Sequence, residues 1–164
     1  GMQSSFFEDM VAEVLALTGE DSPVKVRRVL RNSCMLSSDV SAAYDPLYPE
    51  VFEKKNTAYF GRGLVLNKYT GSRGKNGTSD ANAEYVAKVR NVFDNNHVAF
   101  QTAELGKVDQ GGGGTIAYVM ANKAMSVIDS GVAVLSMHAP YEVTSKSDIY
   151  EVYRGYKAFL KDMK

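Results

Sequence analysis

The chain has 164 residues, 45% of them hydrophobic, with 19 Lys and Arg against 19 Asp and Glu. That is enough apolar material for one core, and residues 1–164 read as a single domain. A balanced charge gives no electrostatic reason to expect nucleic acid or an anionic membrane as partner, and no apolar run approaches the length of a membrane span. The opening GMQSSFFEDM lacks the basic start and apolar core of an export signal. A lone cysteine, Cys34, cannot close an internal disulfide, so a reducing, cytoplasmic setting is expected. Cys34 sits in an apolar run and reads as a buried structural residue.

In chain order, Ser5 with Glu8 forms an S-x-x-E capping box, followed by Phe6, Phe7, Met10, Val11, Val14 and Leu15 at helical spacing up to Gly19. Pro23, after Asp21 and Ser22, opens a second helix that runs to about Arg31. SCMLSSD (33–39) reads as a buried strand ending on Asp39, and the stretch from Tyr44 to Tyr59, with Pro46 and Pro49, as a loop. GLVLNKY (63–69) is a strand, and the polar GSRGKNGTSD that follows reads as a long mobile loop. Helix resumes near Asp80 and stops at Asn95-Asn96; HVAFQTAEL (97–105) is the next strand. Gly111–Gly114 leads into a helix from Thr115 to about Lys123, and VIDSGVAVLSM (127–137) is one strand, or two with a bend at Gly131. Ile149, Val152, Tyr153, Tyr156, Phe159 and Leu160 mark the last helix. Helices alternating with short Val- and Leu-rich strands predict an α/β fold, a three-layer α/β/α arrangement with a mixed sheet covered by helices on both faces.

In such sheets ligands gather beyond the carboxyl ends of the strands, where Asp39, Glu104 and His138 are expected. Asp and His are both zinc ligands, but a lone strand-end Asp is more often a turn residue and a lone His more often structural. Gly111–Gly114 before Thr115 either offers backbone N–H groups to an anion or only permits a tight turn. The loop around Arg73, Gly74 and Lys75 departs from the phosphate-loop pattern at Tyr69 and Asn76 and reads as a solvated basic loop. Glu142 reads as part of a helix entry or as a supporting partner of His138.

SSDVSAAYDPLYP, LVLNKYTGSRGKNGTSDANAEY, TAELGKVDQGGGGTIA and VIDSGVAVLSMHAPYEVTSKSDIYEVYRGYKAF resemble the aminopeptidase I / aspartyl aminopeptidase family of zinc metallopeptidases, its bacterial branch above all. The resemblance runs from Met2 to the C-terminus. It implies a zinc-dependent aminopeptidase whose two-metal site releases N-terminal residues from peptide substrates. It assigns Asp39, in the S-S-D segment, and His138, in the S-M-H segment, as metal ligands. The family's other ligands (a His, a bridging Asp and a Glu-Glu pair whose first Glu is the general base) precede the matching segment. The chain is therefore expected to be a C-terminal part of the catalytic domain, to contain no catalytic residue of its own, and to be inactive without an N-terminal catalytic half.

For substrate contacts, the resemblance points to Lys68, Asp109 and Gly113. In ungapped register the family's strand lysine falls on Asn67, with Lys68 beside it, and Ala42 stands where many members have a substrate-contacting His. A homo-oligomer is the expected assembly. The alternative is a non-catalytic α/β remnant that associates with itself or a partner through an uncovered sheet edge; a weaker one is an anion-binding module built on Gly111–Gly114.

Overall fold

The computed structural model describes residues 1–73, 76–107, 109–110 and 112–163. Gly111 of the Gly-rich turn and Gly74 and Lys75 of the basic loop lie outside the described residues. Helices α1 (Phe6–Leu17) and α2 (Pro23–Arg31) lead into strand β1 (Cys34–Ser38) and the short β2 (Ser41–Ala42). Next come β3 (Leu64–Asn67), the hairpin β4 (Tyr69–Ser72) and β5 (Asn76–Asp80), α3 (Ala83–Asn95) and β6 (Phe100–Thr102). The chain continues with α4 (Ala117–Ala121), β7 (Ser126–Gly131), β8 (Ala133–Leu135), β9 (Val143–Thr144) and α5 (Lys146–Asp162).

The main sheet has the order β1-β7-β3-β6. β1 is parallel to β7 and β3 to β6, while β3 and β7 are antiparallel, so the sheet is mixed. Residues alternate between its faces. Leu64, Leu66 and Ile128 pack on Tyr85, Val89, Phe93 and Ala158, against α3 and α5. Val65 faces Ala43, Ala58 and Ala133, while Val127 meets Ala117, Val119 and Met120 of α4 with Met35 and Phe7 beside them. Helices on both faces of a mixed sheet are the α/β architecture that the alternating pattern predicts.

One feature of this sheet places the site. The β1–β7 ladder does not stop at Ser38 and Ser130; it bends and continues as β2–β8, through Asp39 N–H to the Ser130 carbonyl (3.1 Å), Ser41 N–H to Val132 (2.9 Å) and Ala43 N–H to Val134 (2.8 Å). The bend brings the two backbones unusually close, because a Cβ on Gly131 would lie 1.4 Å from the Asp39 carbonyl oxygen. Only glycine fits there. The expected bend at Gly131 is therefore real, and it separates two strands that belong to different sheets.

Several expectations are corrected. Cys34 is exposed, because β1 is an edge strand. The described part of GSRGKNGTSD is largely strand, not loop: Gly71 and Ser72 end β4 and Asn76–Asp80 form β5, with Tyr69 opposite Asp80 and a register shift between Thr70 and Ser72; the glycine-rich composition hid a strand pair. The capping box does not form: Ser5 is itself helical and makes no cap hydrogen bond, and Glu8 pairs with Lys123 of the α4 end instead. α3 begins at Ala83, where the Asn82 side chain accepts the N–H groups of Glu84 (2.9 Å) and Tyr85 (3.2 Å). The strand predicted over 97–105 is only Phe100–Thr102, since His97 turns in the left-handed region at φ 53°.

Candidate metal centre

Asp39 follows directly on β1, at the bend where the chain leaves the main sheet. Its Oδ1 accepts the Val40 N–H (2.8 Å), and the residue is exposed. His138 lies three residues past β8 in a turn where Ser136 (φ 56°) and His138 itself (φ 68°) both adopt left-handed backbone. Such conformations are costly for residues with a Cβ and concentrate at functional sites. The Glu142 carboxylate accepts the His138 main-chain N–H at 2.6 Å. Glu142 thus supports His138 through its main chain, fixing the turn that presents the residue.

These two residues, remote in sequence, line one cleft of about 380 Å³, with Gly112, Gly113, Gly114 and Thr115 as one wall and Val51, Phe52, Leu105 and Met137 as apolar surroundings. Gly113 is therefore at the cleft, as expected. Lys68 is not among its lining residues: its ammonium pairs with Asp80 across the β4–β5 hairpin. Asn67 is buried and donates to the Ala103 carbonyl (2.7 Å), so neither residue of that pair faces the cleft. Asp109 is exposed, with left-handed backbone at φ 68°, and is also absent from the cleft lining. Glu104 lines a narrow crevice that shares Leu105, Gly112 and Gly113 with the cleft.

The wall is held from beneath by a residue that sequence reading passed over. Asp129, 3% exposed in the middle of β7, accepts the hydroxyls of Thr115 (2.8 Å) and Thr70 (3.0 Å) on Oδ2, while its Oδ1 has no hydrogen-bond partner. It thereby ties the Gly-rich wall to β4 and to the sheet. A lone carboxylate inside the apolar run VIDSG was the available signal. Burial, above all, pushes the Asp129 carboxyl above the ordinary carboxylate range; Thr115, Ser37 and Thr70 oppose that shift, and the Asp39 charge adds to it.

The folded state therefore holds this proton more tightly than the unfolded chain. Stability from this group is present at low pH and is lost as pH rises from the ordinary Asp range through the raised value. Asp129→Asn should flatten that dependence and raise stability at neutral pH by about 1 kcal/mol, since the charge is removed and the new amide can donate toward Ser37. Chemical denaturation from about pH 4 to about pH 8 checks this; a variant that is less stable at every pH would refute it.

Donor chemistry suits zinc, which takes carboxylate oxygen and imidazole nitrogen. The set in the cleft is partial: among the described residues no group of three or more His, Cys, Asp and Glu side chains is placed to hold a metal ion.

Comparison with known proteins decides the family. A family model described as "Aminopeptidase I zinc metalloprotease (M18)" matches residues 1–160. The chain belongs to the M18 aminopeptidase I family. It is 61% identical to a probable M18 family aminopeptidase 1 of Clostridium acetobutylicum, a match over 99% of this chain and 35% of that protein. With the corresponding protein of Thermotoga maritima the identity is 43%, over 99% of this chain and 36% of the relative. The crystal structures of the aminopeptidases from these organisms superpose with TM-scores of 0.86 and 0.92, each covering 98% of this chain and 34% and 36% of the solved chain. A dodecameric aminopeptidase of Saccharomyces cerevisiae, 22% identical with a TM-score of 0.72, shares the fold over 99% of this chain and 34% of its own. The chain thus spans about a third of the length of the curated relatives it matches. Among the described residues no helix is long and apolar enough to cross a membrane.

Proposed function

We propose that residues 1–164 act as one module that contributes part of the two-zinc centre of an aminopeptidase, with Asp39 and His138 as ligands to the metals. The observation that carries this is their convergence on one cleft from opposite ends of the chain, in a family described as zinc metalloproteases. Zinc, when bound, supplies a Lewis acid and an activated water for attack on a peptide carbonyl. The chain's own residues shape the place where that happens. The Gly112–Thr115 wall, anchored by Asp129, and the apolar side chains of Val51, Phe52 and Met137 receive the N-terminal residue of a peptide, with Gly113 against the substrate backbone. Lys68 and Asp109 act on substrate only if completion of the enzyme brings them to the cleft.

Among the described residues no carboxylate other than Asp39 lines the cleft, which supports the reading that the general base and the remaining ligands come from a complementing catalytic half and that the module alone does not turn over substrate. The dodecamer formed by the Saccharomyces cerevisiae relative supports a homo-oligomeric assembly of the complete enzyme. The one exposed, free cysteine accords with a cytoplasmic setting.

The test is substitution of the two donors. Asp39→Ala and His138→Ala should each lower zinc affinity and the activity of the completed enzyme by more than ~100-fold, exceeding the loss typical of a supporting partner. Because both side chains are exposed, neither change should move the stability of the chain by more than ~0.5 kcal/mol. Full activity in either variant would remove that residue from the metal centre.

A further inference from the structure

The cleft that holds Asp39 and His138 adjoins a second cavity of about 280 Å³, lined mainly by apolar side chains. Ala42, Val51, Phe52 and Met137 line both, so the two spaces meet along these residues. Strands β2 and β8 supply one side of the second cavity, through Ala43 and Leu135 among others, and the turn Pro49–Val51 with Phe52 supplies another. Phe52 is 9% exposed, and its ring stands edge-on to Tyr44 at 5.7 Å, which in turn lies 5.4 Å from Tyr59. That aromatic contact fixes the wall. At the junction Ala42 presents only a methyl group. Among the described residues neither space is lined by Lys or Arg. The Lys107 N–H donates to the Val51 carbonyl (3.0 Å), yet Lys107 is not part of either lining. The second cavity does include the carboxylate of Asp45, one oxygen of which accepts the Leu47 N–H (2.8 Å).

Resting on the proposed aminopeptidase reading, we infer that this apolar cavity takes the side chain of the substrate's N-terminal residue, that it selects large neutral side chains over acidic ones, and that Ala42 sets how large a side chain enters. An apolar cavity of roughly 150 Å³ accommodates a benzene ring. The space beside the cleft therefore admits the side chain of leucine, methionine or phenylalanine. Filling it removes apolar surface from water on substrate and protein alike. An aspartate or glutamate side chain would lose its hydration there with no cation to replace it, and would face the Asp45 carboxylate. Asp45 does not make this a site for cations: one of its oxygens is engaged by Leu47, and Ala42, Phe52 and Met137, where the two spaces meet, offer only hydrocarbon and a thioether.

Residues 1–164 are placed in the Clostridium acetobutylicum relative in exchange for the segment they match, and kcat/KM is measured with zinc for the anilides of leucine, methionine, phenylalanine, alanine, lysine, aspartate and glutamate. The three large neutral substrates should exceed alanine by at least ~10-fold and the two acidic ones by at least ~100-fold. Ala42→Phe fills the junction, so it should lower the leucine and phenylalanine values by at least ~10-fold while leaving alanine within ~3-fold. Val51→Arg brings a cation to the rim at a position 51% exposed, where folding tolerates it, and should raise the aspartate and glutamate values by at least ~10-fold. An active enzyme that prefers aspartate, glutamate or lysine, or whose preference is unchanged in a folded variant, would overturn the inference and leave the aminopeptidase reading standing. A folded full-length chain with no zinc-dependent hydrolysis of any of these substrates would sink that reading, and the inference with it.

Discussion

Gly131→Ala is expected to be among the most destabilising single-methyl additions available in this chain. The new Cβ would sit 1.4 Å from the Asp39 carbonyl oxygen and 2.6 Å from its carbonyl carbon. Both obstacles are backbone, so no rotamer change relieves them. The two chains must part at the bend, which costs the Asp39 N–H to Ser130 bond and disturbs the ladder on either side. Ordinary overpacking costs about 1–3 kcal/mol; a backbone collision should exceed ~3 kcal/mol, or roughly a 10 °C fall in melting temperature for a chain of this size. Because Asp39 is the residue pushed away, zinc affinity in the completed enzyme should fall as well. Gly61→Ala is the control: its φ of 76° disfavours alanine, but the methyl meets nothing within 4 Å, so a loss of only about 1 kcal/mol is expected. Equal losses from the two variants, measured by thermal unfolding, would show that the approach at Gly131 is not the constraint described.

The second large effect belongs to Asp148, in the first turn of α5 and 1% exposed. Its two carboxylate oxygens accept the N–H groups of Gly61 and Gly63, each at 2.8 Å. Gly63 has φ 84° and a position where a Cβ would stand 2.1 Å from the Ala99 carbonyl oxygen, so the entrance to β3 is pressed against the entrance to β6. One turn later on α5, Glu151 accepts the Ala99 N–H at 2.7 Å. The first turns of one helix therefore fasten the starts of two parallel strands. Asp148→Ala leaves two N–H groups without acceptors and removes two charge-assisted bonds, a loss of about 3–5 kcal/mol. Asp148→Asn keeps one acceptor and should fall between. Urea denaturation measures both; a loss under ~1 kcal/mol for the alanine variant would contradict this account.

The fold was legible where burial imposes a period. The last helix, the Pro23 helix start and the bend at Gly131 were all visible as pattern, although of the stripe ending at Leu160 only Val152, Tyr156 and Phe159 pack on the core, while Ile149, Tyr153 and Leu160 are exposed. Legibility failed where tertiary contacts decide. Glycines in GSRGKNGTSD suggested a loop, but β4 and β5 pair with each other, and β4 receives the Gly113 carbonyl through the Gly71 N–H (3.1 Å). Ser5 and Glu8 had the letters of a capping box, yet Lys123, brought near by folding, takes the Glu8 carboxylate. Cys34 looked buried because its neighbours are apolar; strand order, which no local pattern encodes, puts it on an edge.

The site divides the same way. Asp39 and His138 were singled out through family resemblance and strand-end position, and both line the same cleft. Asp129 was passed over because a carboxylate without an ionic partner gives no motif, only an interruption in an apolar strand. Lys68 depended on a one-residue register, and the side chain of the neighbouring Asn67 turns inward to the Ala103 carbonyl.

The central claim is that this chain supplies two donors of a zinc centre and not the rest. Hydrolysis of a panel of aminoacyl anilides by the purified chain, with zinc or cobalt added and a chelator control, tests it most directly. The account predicts a folded protein with no chelator-sensitive turnover. Chelator-sensitive turnover by the chain alone would contradict it, and would require a general base within residues 1–164, with Glu104 and Glu142 the first to be examined.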